Sequence, residues 1–372
     1  MRRLLLTIAL LAGFLNLGFG PPAILDASEG SLPLYPSQLP AIKQMRPPEV
    51  GAEAYAVIDG ETGEMVAGKQ AHEHLPPAST TKIATAIVAI ERGDLDATVR
   101  ILPEDVDAKK LPDSSMMGLV AGEELSLRDL LYGLMLPSGN DAALAIARQV
   151  GGSEARFMDM VNAKFRDLGL QDSHYVNPHG LDDPDHYTSP YDLAMLARYA
   201  MANPEFATIV GTRQYVVQGR LHRYELTNLN PLLPSYNGAD GVKTGYTENA
   251  LQTFVGSVTR DGHRVIVAVM RSHDRLADTL PLLDYYFANL ACRTLDLPSN
   301  ALNRIGGDGR GRDVRVRPAP VVCRPAWQLP FIRSSVWLDD AADAVSDPGA
   351  RLGFAGFYLG QSLLAEAGIY ER

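Results

Sequence analysis

The sequence predicts an α+β fold: a mainly antiparallel sheet flanked by helices, a separate helical lobe and a small β-rich region at the C-terminus. Three observations support this class. A hairpin pattern comes first at 52–70, helical spacing dominates 79–169, and strand-like segments return at 212–270. Strands and helices that are segregated along the chain favour an antiparallel sheet carrying helices over alternating parallel units.

The chain has the composition of a globular protein with a sizeable core. Of its 372 residues, 46% are hydrophobic and 21% are charged, which excludes a disordered chain. The length allows two domains, or one large domain with an appendage. The net charge of −10 argues against a nucleic acid as partner, because such proteins usually carry a basic patch.

The first 50 residues predict an export signal and a linker. Arg2 and Arg3 precede an uncharged apolar stretch at 4–19, which is typical of a secretion signal. We expect residues 1–27 to be a signal peptide or an uncleaved leader, and residues 28–50 to be a proline-rich linker. The protein should therefore act outside the cytoplasm, and it should contact a membrane only through the leader, if that leader is uncleaved.

The segments after residue 50 predict a hairpin followed by helices. In "AEAYAVIDGETGEMVAGKQ" (52–70), two β-rich runs are separated by Asp59-Gly60 and Thr62-Gly63, which are turn residues. Apolar residues then recur at helical spacing. The predicted helices are 79–91, 125–136, 140–150, 153–170 and 189–201.

The second half predicts more strands and a closing helix. Segment 212–226 is typical of a hairpin around Gly219, and 252–270 of a second hairpin with Asp261-Gly262 at its turn. Segment 274–291 is typical of a helix, kinked at Pro281.

The C-terminal part differs in composition from the segments that precede it. The glycine- and arginine-rich stretch 303–320 suggests a flexible, solvated connection, and short strands should follow it. We therefore expect one domain at 51–292, and a linker with a small β-rich domain at 293–372.

The two cysteines and the scattered histidines give no firm site. A disulfide between Cys292 and Cys323 is allowed in an exported protein, but the sequence alone does not decide between a disulfide and free thiols. His72-Glu73-His74 is expected at the surface. "GLDDPDH" (180–186) is expected to be a solvated loop, since its spacing matches no known metal motif. We expect neither a metal nor another cofactor.

Ser79 and Lys82 form the first chemically informative pair, in "PPASTTKIATAIVAIE" (76–91). Ser79 could be a helix N-cap, but a cation in the first helical turn is disfavoured by the helix dipole. Residues i and i+3 lie on the same helix face. Burial and the dipole would both favour a neutral Lys82 amine, which could act as general base for a nucleophilic serine.

Two further short segments carry polar groups that could face the same cleft. In "LPSGND" (136–141), Ser138 and Asn140 lie between two predicted helices, where either could also serve as an N-cap. In "GVKTGYT" (241–247), Lys243-Thr244-Gly245 stands in a strand-like run. Such a strand could receive the backbone of a substrate, or could be a plain edge strand.

Together, Ser-x-x-Lys, Ser-x-Asn and Lys-Thr-Gly in this order match the motif set of the penicillin-recognising serine enzymes. The segments "PASTTKI", "LMLPSGNDAA", "YVNPHGLDD", "HYTSPYDLAMLAR", "TNLNPLL" and "DGVKTGYT" make the sequence similar to the low-molecular-mass D-alanyl-D-alanine carboxypeptidases. The resemblance covers about residues 50–292, and the tail is similar to the family's C-terminal domain. It implies a β-lactamase/transpeptidase-like fold.

The resemblance also implies roles for the matching residues. Ser79 would attack the carbonyl between the last two D-alanines of a peptidoglycan stem peptide, and Lys82 would accept its proton. Ser138 would relay a proton towards the leaving amine, and Asn140 would hold the peptide and Lys82. Penicillins would acylate the same serine.

The strand residues would bind the substrate. Lys243 would supply positive charge, and Thr244 would hydrogen-bond the terminal carboxylate beside Gly245. The N–H groups of Ser79 and Tyr246 would form the oxyanion hole.

Three questions stay open in the sequence. Arg275 could bind the terminal carboxylate or be a surface arginine. Where the family commonly continues with Ala-Gly, this chain has Ala250-Leu251, which puts the local strand geometry in doubt. Beside the carboxypeptidase, the alternatives are a D,D-endopeptidase, a β-lactamase, or a catalytically weak wall-binding scaffold.

Overall fold

The computed structural model describes residues 46–107, 109, 111, 114–260, 262–297, 304–305, 312–326, 328–339 and 349–371. Its strands, in chain order, are β1 (Ala54–Asp59), β2 (Met65–Lys69), β3 (Thr98–Arg100), β4 (Glu124–Ser126), β5 (Gln214–Gln218), β6 (Arg223–Thr227), β7 (Ala239–Thr247), β8 (Leu251–Arg260), β9 (His263–Ser272), β10 (Leu290–Thr294), β11 (Arg304–Ile305), β12 (Arg312–Arg317), β13 (Val321–Pro325), β14 (Arg333–Leu338), β15 (Gly353–Leu359) and β16 (Ser362–Glu371). Its α-helices are α1 (Lys82–Arg92), α2 (Leu127–Met135), α3 (Asn140–Gly151), α4 (Glu154–Leu168), α5 (Pro190–Met201), α6 (Pro204–Gly211), α7 (Leu232–Ser235) and α8 (Arg275–Asn289).

A five-stranded antiparallel sheet in the order β2-β1-β9-β8-β7 forms the centre of the molecule. Its inner strands are buried on both faces. On β1, Ala54, Ala56 and Ile58 pack into the core shared with the helical lobe, whereas Tyr55 and Val57 pack with residues of α8. Alternate side chains of a strand point to opposite faces, so this sheet has helices on both sides. The predicted α+β class is confirmed.

Three helices of the helical lobe begin close to the positions that the sequence predicts. The hydroxyls of Ser126, Ser153 and Ser189 each accept a backbone N–H of the following first turn. Each such cap satisfies one of the free donors at a helix end. Gly169 closes α4 in the left-handed conformation, which glycine adopts at little cost.

The predicted hairpins are also present. Strands β1 and β2 pair, and the Asp59 carboxylate fixes their turn by accepting the N–H groups of Glu61 and Thr62. Strands β5 and β6 pair around the turn that contains Gly219. Strands β8 and β9 pair up to Gly262, which has φ +83°. Asp261 lies outside the described residues.

The structure adds elements that the sequence analysis does not assign. The small β3–β4 ribbon interrupts the expected helical block. Helix α6 occupies 204–211 and begins at Asn203, whose side chain accepts two backbone N–H groups, with Pro204 in the first turn. The closing helix α8 contains Pro281 and ends at Asn289, where β10 begins.

The C-terminal strands form a second antiparallel sheet in the order β11-β12-β16-β15-β14. The interpretation of 303–320 as a flexible connection is wrong for β12, in which Val314 and Val316 enter a separate hydrophobic core. The period of two in "DVRVR" is the signal for that strand. Backbone register places Cys292 of β10 opposite Cys323 of β13, and the side chains of both cysteines lie outside the described part of the structure.

The predicted export signal at 1–27, and the linker up to residue 45, lie outside the described residues. Within the described ranges, we find no helix with both the length and the apolar character needed to cross a bilayer.

Candidate active site

The serine–lysine pair sits at the start of α1. Ser79 lies in a single 3₁₀ turn, and Lys82 is the first residue of the α-helix. Ser79 does not cap the helix, because the N-cap position belongs to Thr81. Its Oγ lies 2.9 Å from Nζ of Lys82. The hydroxyl is therefore free to act as a nucleophile with an amine in hydrogen-bonding contact.

Lys82 is held in the chemical state that a base requires. Its side chain is completely buried, and burial, followed by the charge of Lys243, lowers its pKa well below the usual lysine range, while Asp141 acts in the opposite direction. Nζ also donates to the backbone oxygen of His179 at 2.7 Å. A neutral amine that donates one proton to this carbonyl keeps its lone pair for the Ser79 hydroxyl.

Ser138 and Asn140 lie between α2 and α3. Ser138 has φ +68°, a left-handed conformation that is uncommon outside glycine, and Asn140 is the first residue of α3. Both side chains are 3% exposed, and neither Ser138 Oγ nor Asn140 Oδ1 has a hydrogen-bond partner among the described residues. Buried polar atoms are rarely left unpaired, so this arrangement points to a ligand.

Strand β7 forms the opposite side of the site. Lys243 is buried, with Nζ 2.9 Å from the Thr244 oxygen, and burial and the nearby Arg275 lower its pKa to about 7. Gly245 is required here, because an added Cβ would lie 2.1 Å from Oγ1 of Thr253 and 3.0 Å from the Ser79 nitrogen. The strand can therefore approach Ser79 this closely only through a glycine.

Most of the predicted site residues line one cleft of 690 Å³. They are Ser79, Ser138, Asn140, Thr244, Gly245, Tyr246 and Arg275. Lys82 and Lys243 are buried directly beside them. The sequence-predicted groups thus converge, although they come from the start of α1, the α2–α3 loop, β7 and α8.

Arg275 is positioned by a residue that sequence reasoning missed. It begins α8, and its Nε donates to Oε1 of Gln252 at 2.8 Å, on the neighbouring β8. The amide of Gln252 is anchored in turn by donating to the His273 oxygen at 2.8 Å. Of the two alternatives for Arg275, a residue of the site or a surface arginine, its place in the lining of the cleft favours the first.

The loop at 176–187 is a wall of the site, and the prediction that 180–186 is solvated is wrong at Gly180 and His186. Both are buried, as is His179 just before that segment, whereas residues 182–185 are exposed. Gly180 has φ +94°, and an added Cβ would lie 1.9 Å from the Ala78 oxygen. The loop therefore packs tightly against the turn that contains Ser79.

Both buried histidines of this loop are neutral. Burial lowers the pKa of His179 and of His186 to about 3. Nδ1 of His186 accepts the Val176 N–H at 3.1 Å, so Nε2 carries the proton and donates to Oγ1 of Thr81 at 2.8 Å. His186 thus fixes the residue next to Lys82 without adding charge. The described residues contain no cluster of acidic, histidine or cysteine side chains suited to a metal.

Asp141 is a second group that the sequence did not reveal. It is fully buried beside Asn140. Its carboxylate accepts the N–H groups of Met117, Gly118 and Leu119 at 2.7 to 2.9 Å. The segment that precedes them includes Ser114 and Ser115, which line the cleft, so Asp141 holds that edge of the site.

The family-specific departure at Ala250-Leu251 has a visible result. Leu251 has φ +54°, so a leucine occupies a left-handed position where glycine would be unstrained. The pairing of β7 with β8 nevertheless continues to Thr247 opposite Leu251.

Comparison with known proteins gives a consistent result. A family model described as D-alanyl-D-alanine carboxypeptidase matches residues 41–274. The D-alanyl-D-alanine carboxypeptidase DacF of Bacillus subtilis is 28% identical over 86% of this chain and 85% of its own length. The D-alanyl-D-alanine carboxypeptidase of Streptomyces sp. strain K15 is 35% identical over 67% of this chain and 91% of its own.

A solved structure from the same genus is similar throughout its length. The Streptomyces K15 DD-transpeptidase superposes with a TM-score of 0.62, at 34% identity, over 65% of this chain and 99% of its own.

Proposed function

The chain belongs to the D-alanyl-D-alanine carboxypeptidase family, and from that premise we propose how its cleft residues carry out the reaction. The protein is a serine hydrolase that removes the terminal D-alanine from peptidoglycan stem peptides and is acylated by penicillins. The observation that carries the residue assignment is the 2.9 Å contact between Ser79 Oγ and Lys82 Nζ, in a cleft with two unpaired buried polar groups.

Acylation begins with proton transfer from Ser79 to Lys82. As Ser79 Oγ forms a bond to the scissile carbonyl carbon, its proton moves to Nζ of Lys82. This amine is neutral because burial lowers its pKa. Negative charge then develops on the carbonyl oxygen, next to the N–H groups of Ser79 and Tyr246. Each such donor contributes about 3 kcal/mol to the stability of the transition state.

Collapse of that intermediate breaks the peptide C–N bond. Lys82 returns its proton through Ser138 to the leaving D-alanine nitrogen, while Asn140 holds the peptide that stays on the enzyme as an ester of Ser79. Water then attacks the ester and gives a proton to the neutral Lys82, which passes it to Ser79 Oγ as the ester C–O bond breaks and the shortened peptide is released.

The terminal carboxylate of the substrate would bind at Thr244 and Arg275, which both line the cleft. Lys243, the neighbour of Thr244 in β7, is buried. A bound carboxylate would favour the charged form of Lys243, whose pKa of about 7 leaves it partly neutral near pH 7. Gln252 orients the Arg275 guanidinium towards this position.

We place the activity outside the cytoplasm, where its peptidoglycan substrate is. Residues 1–27 would serve as export signal or leader, and 28–50 as the linker to a peptidase domain at 51–292. The β-rich region at 293–372 would be a separate appendage. Cleavage of the leader would remove the only membrane contact that we propose.

The test measures two products of the same serine. The wild-type protein should release D-alanine from a pentapeptide ending in D-Ala-D-Ala and should be labelled by a fluorescent penicillin. Ser79→Ala and Lys82→Ala should lose both signals, whereas Lys109→Ala, which changes an exposed lysine, should keep both. Normal penicillin labelling of Lys82→Ala would overturn the assignment of the base.

Transfer to an amine instead of water is a second outcome for the same ester. It is favoured by one observation, the similarity to a structure described as a DD-transpeptidase. Adding a D-amino acid to the assay separates the two outcomes: a carboxypeptidase mainly forms the shortened peptide, whereas a transpeptidase forms the exchanged peptide.

A further inference from the structure

The cleft has an uneven distribution of charge. Among the residues that line it, the arginine is Arg275 and the acids are Asp182 and Glu248. Glu248 directly follows β7, which ends at Thr247, and Asp182 contacts Thr247, so both acids lie at the C-terminal end of β7, which we call the acidic end of the cleft. His179 also lines the cleft, but its pKa of about 3 keeps it neutral. Arg275 is assigned above to the terminal carboxylate of the substrate, and the acidic end has no assigned ligand.

The direction of the bound peptide places its third residue from the C-terminus at the acidic end. The terminal carboxylate lies at Thr244 and Arg275, and the scissile carbonyl lies at the N–H of Tyr246. A peptide that adds to a strand edge therefore extends along β7 towards Thr247 and Glu248. With about 3.3 Å of rise per residue, the residue before D-Ala-D-Ala lies next to these positions.

Asp182 is fixed in orientation by Thr247. The Thr247 hydroxyl accepts the Ala250 N–H at 2.9 Å, so its single proton is directed to Asp182 Oδ1, which lies 2.8 Å away. This contact joins the loop at 176–187 to the end of β7 across the cleft. The second carboxylate oxygen of Asp182 has no hydrogen-bond partner among the described residues.

Neither acid is neutralised by the protein. Asp182 and Glu248 are exposed, and none of the ion pairs within the described part of the chain includes either of them. Two acidic side chains alone would not define a site. Here they line the same cleft as Ser138 Oγ and Asn140 Oδ1, which are buried without partners and so point independently to a ligand in that space.

We propose that Asp182 and Glu248 bind a side-chain ammonium on the substrate residue that directly precedes D-Ala-D-Ala. This inference rests on the proposed function, and it names the chemical class of stem peptide that the site prefers. The carboxylates act as positioning groups for the peptide and take no part in bond breaking. An exposed ion pair is worth at most about fivefold in affinity, so the expected preference is of that size at low salt.

The test compares three versions of one peptide ending in L-Lys-D-Ala-D-Ala. In the first the lysine amine is free, in the second it is acetylated, and in the third it is succinylated, which reverses its charge. Wild-type kcat/KM for release of D-alanine should fall in that order, with about fivefold between the first two. Raising the salt concentration should reduce the difference, since exposed charges are screened.

The double variant Asp182→Asn/Glu248→Gln should have a ratio near one for the free and acetylated peptides. The amide oxygen introduced by Asp182→Asn would still accept the Thr247 hydroxyl proton, so the loop contact is retained while the charge is removed. The matched control is Asp183→Asn, an exposed acid in the same loop that does not line the cleft, and it should keep the wild-type ratio.

The outcomes separate the two proposals. Equal kcat/KM of the wild-type enzyme on the free and acetylated peptides, or an unchanged ratio in the double variant, would overturn the ammonium site while D-alanine release still supports the proposed function. Absence of D-alanine release from all three peptides would overturn the proposed function and this inference with it.

Discussion

Asp141 offers the sharpest test of how the site is built, because its carboxylate is fully buried and each of its oxygens accepts two backbone N–H groups. Oδ1 accepts the N–H groups of Met117 and Ala142, at 2.7 and 2.9 Å. Oδ2 accepts those of Gly118 and Leu119, both at 2.9 Å. In Asp141→Asn, whichever oxygen becomes an NH₂ group turns two acceptor contacts into donor–donor contacts.

The magnitude follows from those two lost bonds. A hydrogen bond to a charged group contributes about 1.5 to 3 kcal/mol, so Asp141→Asn should lower the free energy of unfolding by about 3 to 6 kcal/mol. Total stabilities are about 5 to 15 kcal/mol. The variant should therefore lose a large share of its stability, with the loop that carries Ser114 and Ser115 displaced first.

Unfolding in urea can be followed by circular dichroism at 222 nm, since the described α-helices all precede residue 290. Penicillin labelling of the folded fraction reports the site in the same samples, and it should fall along with the loop. Asp159→Asn changes an exposed acid on α4 and should stay within about 0.5 kcal/mol of the wild type. A loss below about 1 kcal/mol in Asp141→Asn would refute this role of the carboxylate.

Two further predictions concern pH and backbone strain. Because acylation requires neutral Lys82 and substrate binding requires charged Lys243, kcat/KM should fall as acid protonates Lys82, and should fall again as rising pH deprotonates Lys243 through its pKa of about 7. Arg275→Gln removes a charge that lowers this pKa, so the alkaline limb of the pH profile should move to higher pH even as the rate drops; an unmoved limb would contradict the assignment. Leu251→Gly relieves a left-handed φ of +54°, whereas Leu251→Ala loses the same packing and keeps the strain. In urea unfolding the glycine variant should be at least as stable as the alanine variant, and a glycine variant less stable by about 1 kcal/mol would be evidence against strain.

Local signals were sufficient for much of the fold. The caps at Ser126, Ser153 and Ser189 and the alternation in β1 act between neighbours in sequence, so the helices and the first hairpin could be predicted. In "DVRVR" the signal was also local, with Val314 and Val316 on one face, but the surrounding glycines and arginines outweighed it. Helix α6 also begins with a local signal, an Asn203 N-cap followed by Pro204, but the short segment after it is not predicted to be a helix.

The site could be predicted only where side chains carry the chemistry. Ser79, Lys82 and Ser138 are marked by residue type and spacing. The His179 carbonyl that orients Lys82 is a backbone group 97 residues away in sequence, and any residue could supply it. Gln252 contacts a side chain on α8, and Asp141 accepts three backbone N–H groups from a distant loop. Because these contacts join residues far apart in sequence, the residues around Gln252 and Asp141 do not indicate their role.

Lys82 and Lys243 are buried without a salt bridge to any described residue, which lowers the stability of the fold. The same burial favours the neutral amine on which the proposed reaction depends. Burial and the charge of Lys243 lower the pKa of Lys82, and burial and the charge of Arg275 lower the pKa of Lys243. Asp141 is the opposing acid, because its charge raises the pKa of Lys82. Its four N–H partners stabilise that buried charge. Because Asp141→Asn removes the charge, Lys82 should bind a proton only at lower pH, so in the folded fraction of this variant the acid limb of the pH profile should move to lower pH.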